Sequence, residues 1–123
     1  MKIESYKDLH VWQKAIILVT DPYEISKQFP EAEKFGSTSQ LRRSAISVPS
    51  NIAEGYGRNS TKSYAACLKM SRGSLLEFET QLIIANKLEY LEENNFITLS
   101  QKITGINKML NSLIYSLEKA IIN

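Results

Sequence analysis

The sequence predicts an all-α protein: an antiparallel, up-down-up-down four-helix bundle spanning residues 1–123 as a single domain. Three observations lead there. Apolar residues recur at steps of three and four in four successive stretches, and no stretch alternates with the period of a strand. Short connections holding Gly, Pro, Asn and Ser separate those stretches. With 123 residues and 43% hydrophobic content, the chain can bury its own core without disulfides or metal.

The first helix is read from Leu9, Trp12, Ile16, Val19 and Tyr23 and stops at Phe29-Pro30. Ser37-Thr38-Ser39 offers hydroxyls to cap the second helix, whose seam is Leu41, Ala45, Val48 and Ile52. Gly55-Tyr56-Gly57 supplies its stop. Asn59-Ser60-Thr61 caps the third, which runs to about Lys87 along Leu68, Ser71, Leu75, Phe78, Leu82 and Ala85. Glu92 to Asn95 places negative charge at the start of the fourth helix. Its seam holds Leu99, Ile103, Ile106, Leu110, Leu113, Leu117 and Ala120. Each helix is expected to be ~20–25 residues long, or ~30–38 Å. Pro49 lies within the rhythm of the second helix and predicts a kinked, continuous helix. Pro22 either interrupts the first helix or opens a new turn. Gly73 and Gly105 interrupt helical patterns and predict close helix approach there.

Several function classes fall away. A single histidine (His10) and a single cysteine (Cys67) cannot furnish a bundle metal site or a disulfide framework, so no metal or cofactor is expected. The phosphate-loop and nucleophile-elbow motifs are missing, and Glu77 and Glu79 sit two apart on different helix faces. A non-enzymatic protein is expected. The start of the chain carries Lys2, Glu4, Lys7 and Asp8, unlike a signal peptide, and the apolar runs are too short to span a bilayer. A cytoplasmic location with no membrane partner is the expectation, and the sequon Asn59-Ser60-Thr61 is then chance.

The net charge of +2 averages two opposed segments. Arg42 to Leu76 holds six basic residues and one acid, a net +5; Glu77 to Glu93 holds five acids and one base, a net −4. The basic residues Arg42, Arg43, Arg58, Lys62, Lys69 and Arg72 are the candidate nucleic-acid contacts. Lys62, Lys69 and Arg72 share one stripe beside the core face of the third helix, at ~100° per residue. The alternative for these residues is an ordinary solvated face, with Glu54 pairing Arg58 one turn away.

Apolar surface is in excess. Ile46, Pro49 and Ala53 widen the apolar arc of the second helix to ~160°, beyond the ~100° a surface helix needs. Ile97, Ile114, Tyr115 and Ile121-Ile122 do the same for the fourth helix, and Ile17 and Leu18 for the first. Self-association accounts for the excess, with Ile46, Pro49, Ala53, Ile114 and Tyr115 as candidate interface residues. A thicker core with scattered exposed residues is the alternative.

The segment Gln40-Leu41-Arg42-Arg43-Ser44-Ala45-Ile46-Ser47-Val48-Pro49-Ser50-Asn51-Ile52-Ala53-Glu54-Gly55 resembles the hallmark of the bacterial four-helix-bundle proteins encoded in 23S rRNA intervening sequences. Asp8 to Ala15 and Gly73 to Glu79 resemble that family at matching places, while Asp21-Pro22 and the Ser37 after Gly36 depart from its pattern. The resemblance implies a bundle assembled as a ring-like homopentamer. A related branch of that family, the accessory proteins of diversity-generating retroelements, is similar in fold and pentameric, and its members bind nucleic acid and a reverse transcriptase. Carried onto this chain, the matching basic positions are Arg42, Arg43 and Arg58. The functional expectation is an oligomeric bundle that binds RNA or another nucleic acid through helices two and three. The alternative is a protein-interaction scaffold whose arginines meet an acidic protein.

Overall fold

The structure, a computed structural model, describes residues 2–122. Among them are four α-helices, α1 (His10–Ser26), α2 (Ser37–Tyr56), α3 (Thr61–Lys87) and α4 (Glu93–Ile122), with short 3₁₀ turns at Tyr6–Asp8 and Glu31–Glu33 and no strand. Each helix packs on two neighbours: α1 and α3 both touch α2 and α4. Consecutive helices run antiparallel, since Arg43 meets Glu77 towards one end of the α2–α3 pair and Gly55 meets Cys67 at the other. This is the expected up-down-up-down bundle. No helix among the described residues is long and apolar enough to cross a membrane.

Local chemistry sets the helix ends. Ser60 caps α3 as expected, its Oγ accepting from the Ser63 N–H at 3.0 Å. The expected hydroxyl cap of α2 is absent: Gly36 occupies the cap position, and the Ser37 Oγ is buried without a partner. Ser5 and Asp8 form a capping box ahead of α1. The α3–α4 turn closes in a Schellman arrangement, with Tyr90 N–H donating to Ala85 O at 2.9 Å and Glu89 N–H to Asn86 O at 3.0 Å. That geometry puts Glu89 at φ 62°, where glycine is the usual occupant. Pro22 and Pro49 both lie inside continuous helices, so Pro22 opens no separate turn.

The core follows the expected seams of α2, α3 and the first half of α4. Leu41, Ile52, Leu68, Leu75, Leu82 and Leu110 are all fully buried. The α1 seam is corrected. Its buried face is Val11, Ala15, Leu18, Pro22 and Ser26, while the expected Ile16 and Tyr23 are exposed and Trp12 and Val19 are half-buried. Three of its bulky residues, Trp12, Ile16 and Val19, stand instead on the flank towards α2. The glycine expectation is corrected as well. A Cβ on Gly73 or Gly105 would meet nothing within 4 Å, whereas one on Gly55 would lie 2.7 Å from Cys67 Cβ. The close approach belongs to Gly55, and Gly57 follows the last residue of α2.

Candidate interaction surface

Two expectations converge on one place. The bulky residues displaced from the α1 core face stand opposite the extra apolar arc of α2. Together Trp12, Ile16 and Val19 of α1 and Ile46, Pro49 and Ala53 of α2 line an open groove of about 280 Å³. Tyr6 closes one end, its ring edge-on to the Trp12 indole at 5.2 Å. Ile16 and Ile46 remain 39% and 41% exposed, although both sit in a mostly apolar concavity. At its other end the groove meets, through Ile46, a shallow hollow lined by Tyr23, Ser39, Arg42 and Arg43.

Arg42 is built into this surface. Its guanidinium lies over the Tyr23 ring at 4.8 Å, and its Nε donates to Ser26 Oγ at 2.8 Å. A further N–H reaches Tyr23 O at 3.4 Å. Arg42 therefore ties α2 to α1 and presents a cation of fixed position. Its neighbour Arg43 turns outward, and its guanidinium reaches Gln40 and, at 3.3 Å, Glu77 of α3.

The six candidate nucleic-acid residues do not form one face. Arg42 leans to α1, Arg43 to α3, and Arg58 pairs with Glu54 at the α2–α3 turn, which raises the Arg58 pKa chiefly through that hydrogen bond. Lys69 and Arg72 lie on the far flank of α3, held by Glu118 at 2.8 Å and Asn111 at 2.9 Å on α4. Lys62 is exposed and has no ion-pair partner among the described residues. Sequence phase placed Lys62, Lys69 and Arg72 on one stripe, but the α4 partners of Lys69 and Arg72 are far away in sequence and could not be read there.

Among the expected interface residues, Ile46 and Tyr115 are exposed and Ala53 is half-buried. Pro49 and Ile114 are buried within the protomer, Pro49 as part of the groove lining and Ile114 in the core at 3% exposure. One apolar surface was missed. On α3, Leu76, Ile83 and Ile84 are 47%, 40% and 44% exposed; Leu76 and Ile83 lie ~100° round the helix from the buried Leu75 and Leu82, and Ile84 stands opposite them. Their spacing of seven and eight residues was legible as a second stripe. The buried seam, more regular, masked it.

A second groove, of about 370 Å³, separates α1 from α4 along Lys14, Ile17, Gly105, Ile106 and Met109. The Lys102–Asp21 ion pair closes the adjoining stretch. Among the described residues no three His, Cys, Asp or Glu side chains cluster as metal ligands would.

A solved structure from Bacteroides thetaiotaomicron, a protein with unknown function from the S23 ribosomal protein family, is similar to this chain. It is 25% identical with a TM-score of 0.78, and the match covers 85% of this chain and 97% of that one. No functionally curated protein matches. The family model described as 23S rRNA-intervening sequence protein matches residues 7–112, which include α1, α2, α3 and most of α4. The chain belongs to the 23S rRNA-intervening sequence protein family.

Proposed function

We propose that this protein is a non-enzymatic, self-associating helical bundle that serves as an assembly scaffold. One observation carries the reading: the α1–α2 groove leaves Ile16 and Ile46 about two-fifths exposed within an apolar concavity. Burying such surface is worth ~25 cal/mol per Å², so a groove of this kind favours a protein occupant over water. Its lining is aromatic and aliphatic with Ser50 at the rim, a composition suited to packing. The family resemblance sets the expected number of copies at five. Light scattering at micromolar concentration is expected to return five times the 14.0 kDa protomer mass. A 14.0 kDa species at every concentration overturns the reading.

RNA binding is the second reading, and the exposure of the basic pairs favours it. The Arg43–Glu77, Arg58–Glu54 and Lys69–Glu118 pairs all keep side chains about half in water. Such pairs contribute only ~0.2–1 kcal/mol, so phosphates can displace the carboxylates. Because the basic residues of one protomer face different ways, the contact requires several protomers around one RNA, which multiplies weak contacts. Affinity for structured RNA is then expected to fall steeply from 50 to 200 mM salt. Absence of binding at the lowest salt overturns it, and capture of an acidic protein through Arg42 and Arg43 would replace it.

A further inference from the structure

The groove between α1 and α4 lies apart from the α1–α2 groove, and its volume of about 370 Å³ falls in the ~300–1,000 Å³ range of ligand pockets. Its lining is mainly aliphatic, with Ile17 of α1 facing Gly105, Ile106 and Met109 of α4, and no aromatic side chain takes part. Ile106 belongs to the core and Met109 packs on it, yet Ile17 stays 51% exposed. Gly105 has no packing role within the chain, since a Cβ there would meet nothing within 4 Å. Glycine inside a helix is destabilising relative to alanine, and here it bares a strip of α4 backbone against which a ligand can lie. Charge along the groove is one-sided. Two lysines line it and no carboxylate does. Lys102 is occupied by Asp21, and that pair closes one end. Lys14 is exposed and has no ion-pair partner among the described residues.

We propose that the α1–α4 groove binds a medium-chain fatty carboxylate, with its chain along Ile17, Gly105, Ile106 and Met109 and its carboxylate on the Lys14 ammonium. Length, lining and charge each select that class. The two helices run antiparallel, and Lys14 precedes Asp21 by the same seven residues by which Met109 follows Lys102. Lys14 and Met109 therefore mark the far end, about 10 Å along the helices from the Lys102–Asp21 pair. A trough of that length suits a medium chain. Aliphatic walls without an aromatic platform suit a flexible chain rather than a planar ring. The free charge is one ammonium, which a single carboxylate matches and a cationic head group opposes. Lys102 already holds one carboxylate beside the same groove, that of Asp21. The site leaves the α1–α2 groove untouched and stands whether or not copies of the chain assemble.

Two methionines supply the test. Met109 lines the groove, whereas Met70 stands 60% exposed on α3. With methyl-labelled methionine and decanoate below its micelle threshold, the Met109 signal is expected to shift saturably while Met70 stays still. Decyltrimethylammonium, with the same chain and the opposite charge, is expected to move neither. Gly105→Leu fills the groove and is expected to abolish the Met109 shift; its position is open, so the variant is expected to keep its helical circular dichroism. If that signal is lost, Ile17→Glu, which sets a carboxylate in the groove, replaces it. Lys14→Met is expected to weaken decanoate roughly tenfold or more, the loss of one charge-assisted bond. An unmoved Met109, equal shifts at Met70 and Met109, or equal binding of the cationic amphiphile overturns the site. Wild-type affinity in Gly105→Leu overturns it as well, and wild-type affinity in Lys14→Met overturns the carboxylate contact.

Discussion

Helix α2 meets its two neighbours in opposite ways. Against α3 it places Ser47, Asn51 and Gly55, and α3 answers with Ser74, Ser71 and Cys67. The Ser47 and Ser74 hydroxyls bond at 2.9 Å, Ser71 donates to the Val48 carbonyl at 2.8 Å, and the Gly55 backbone all but touches Cys67. Against α1 it places Ile46, Pro49 and Ala53, facing Trp12, Ile16 and Val19. Those side chains hold the helices apart and leave a groove. Side-chain size thus sets how near two helices come. The closed seam is the tightly packed one, and the open one is the surface that the proposed assembly would use.

The closed seam is the more fragile. Gly55→Val is expected to destabilise the protein by ~2–4 kcal/mol, because its added atoms collide with Cys67 and Tyr64. Gly55→Ala is expected to destabilise by ~1–3 kcal/mol, since the clash outweighs the ~1 kcal/mol that alanine gains in helix propensity. A urea melt reads both. A Gly55→Ala variant as stable as wild type would break the comparison.

On the open seam, Trp12→Ala is expected to cost ~2 kcal/mol, below the ~3–5 kcal/mol of a fully buried aromatic, because the half-buried indole rests on Tyr6 and the groove. Thermal unfolding checks it, and a cost above 4 kcal/mol would place Trp12 in the core. Two substitutions away from both seams should stabilise. Gly105→Ala is expected to add ~0.5–1 kcal/mol, since its Cβ meets only open space. Glu89→Gly is expected to add up to ~1 kcal/mol by relieving the left-handed backbone.

The smallest effect is alkaline. Tyr64, in the closed seam, has its pKa raised first by burial and then by Tyr56; Tyr90 has its raised first by the hydrogen bond to Glu33. A raised phenol pKa favours the neutral form in the fold. Its contribution is complete below the unfolded value near ~10 and is lost as pH rises through the folded value. Stability is therefore expected to fall above about pH 10, less steeply in Tyr64→Phe. An equal slope in that variant would mean that burial of Tyr64 is not felt.

Much of this contrast was legible in the sequence. On α2 and α3 the three-four rhythm marks one face cleanly, and Leu41, Ala45, Val48, Ile52, Leu75 and Leu82 are all buried where expected. On α1, Val11-Trp12 and Ala15 through Val19 offer apolar residues at nearly every phase, so two faces fit the rhythm equally well. The three-four steps through Trp12, Ile16 and Val19 mark one of them, but packing put Val11, Ala15 and Leu18 of the other inside. The candidate site divides the same way. Ile46 and Ala53 were readable as surplus, whereas the groove needed Trp12 and Ile16 from another helix. The charge count was correct, yet Lys69 meets Glu118 across 49 residues, which no local pattern records.

The central claim is that closed and open seams do different work. Ile16→Ser in the open seam tests it most directly, with solution mass and melting temperature measured on one sample. The expected result is loss of assembly with the melting temperature of the isolated protomer little changed. An assembly that survives, or a protomer that loses stability as severely as the Gly55→Val variant, would contradict it.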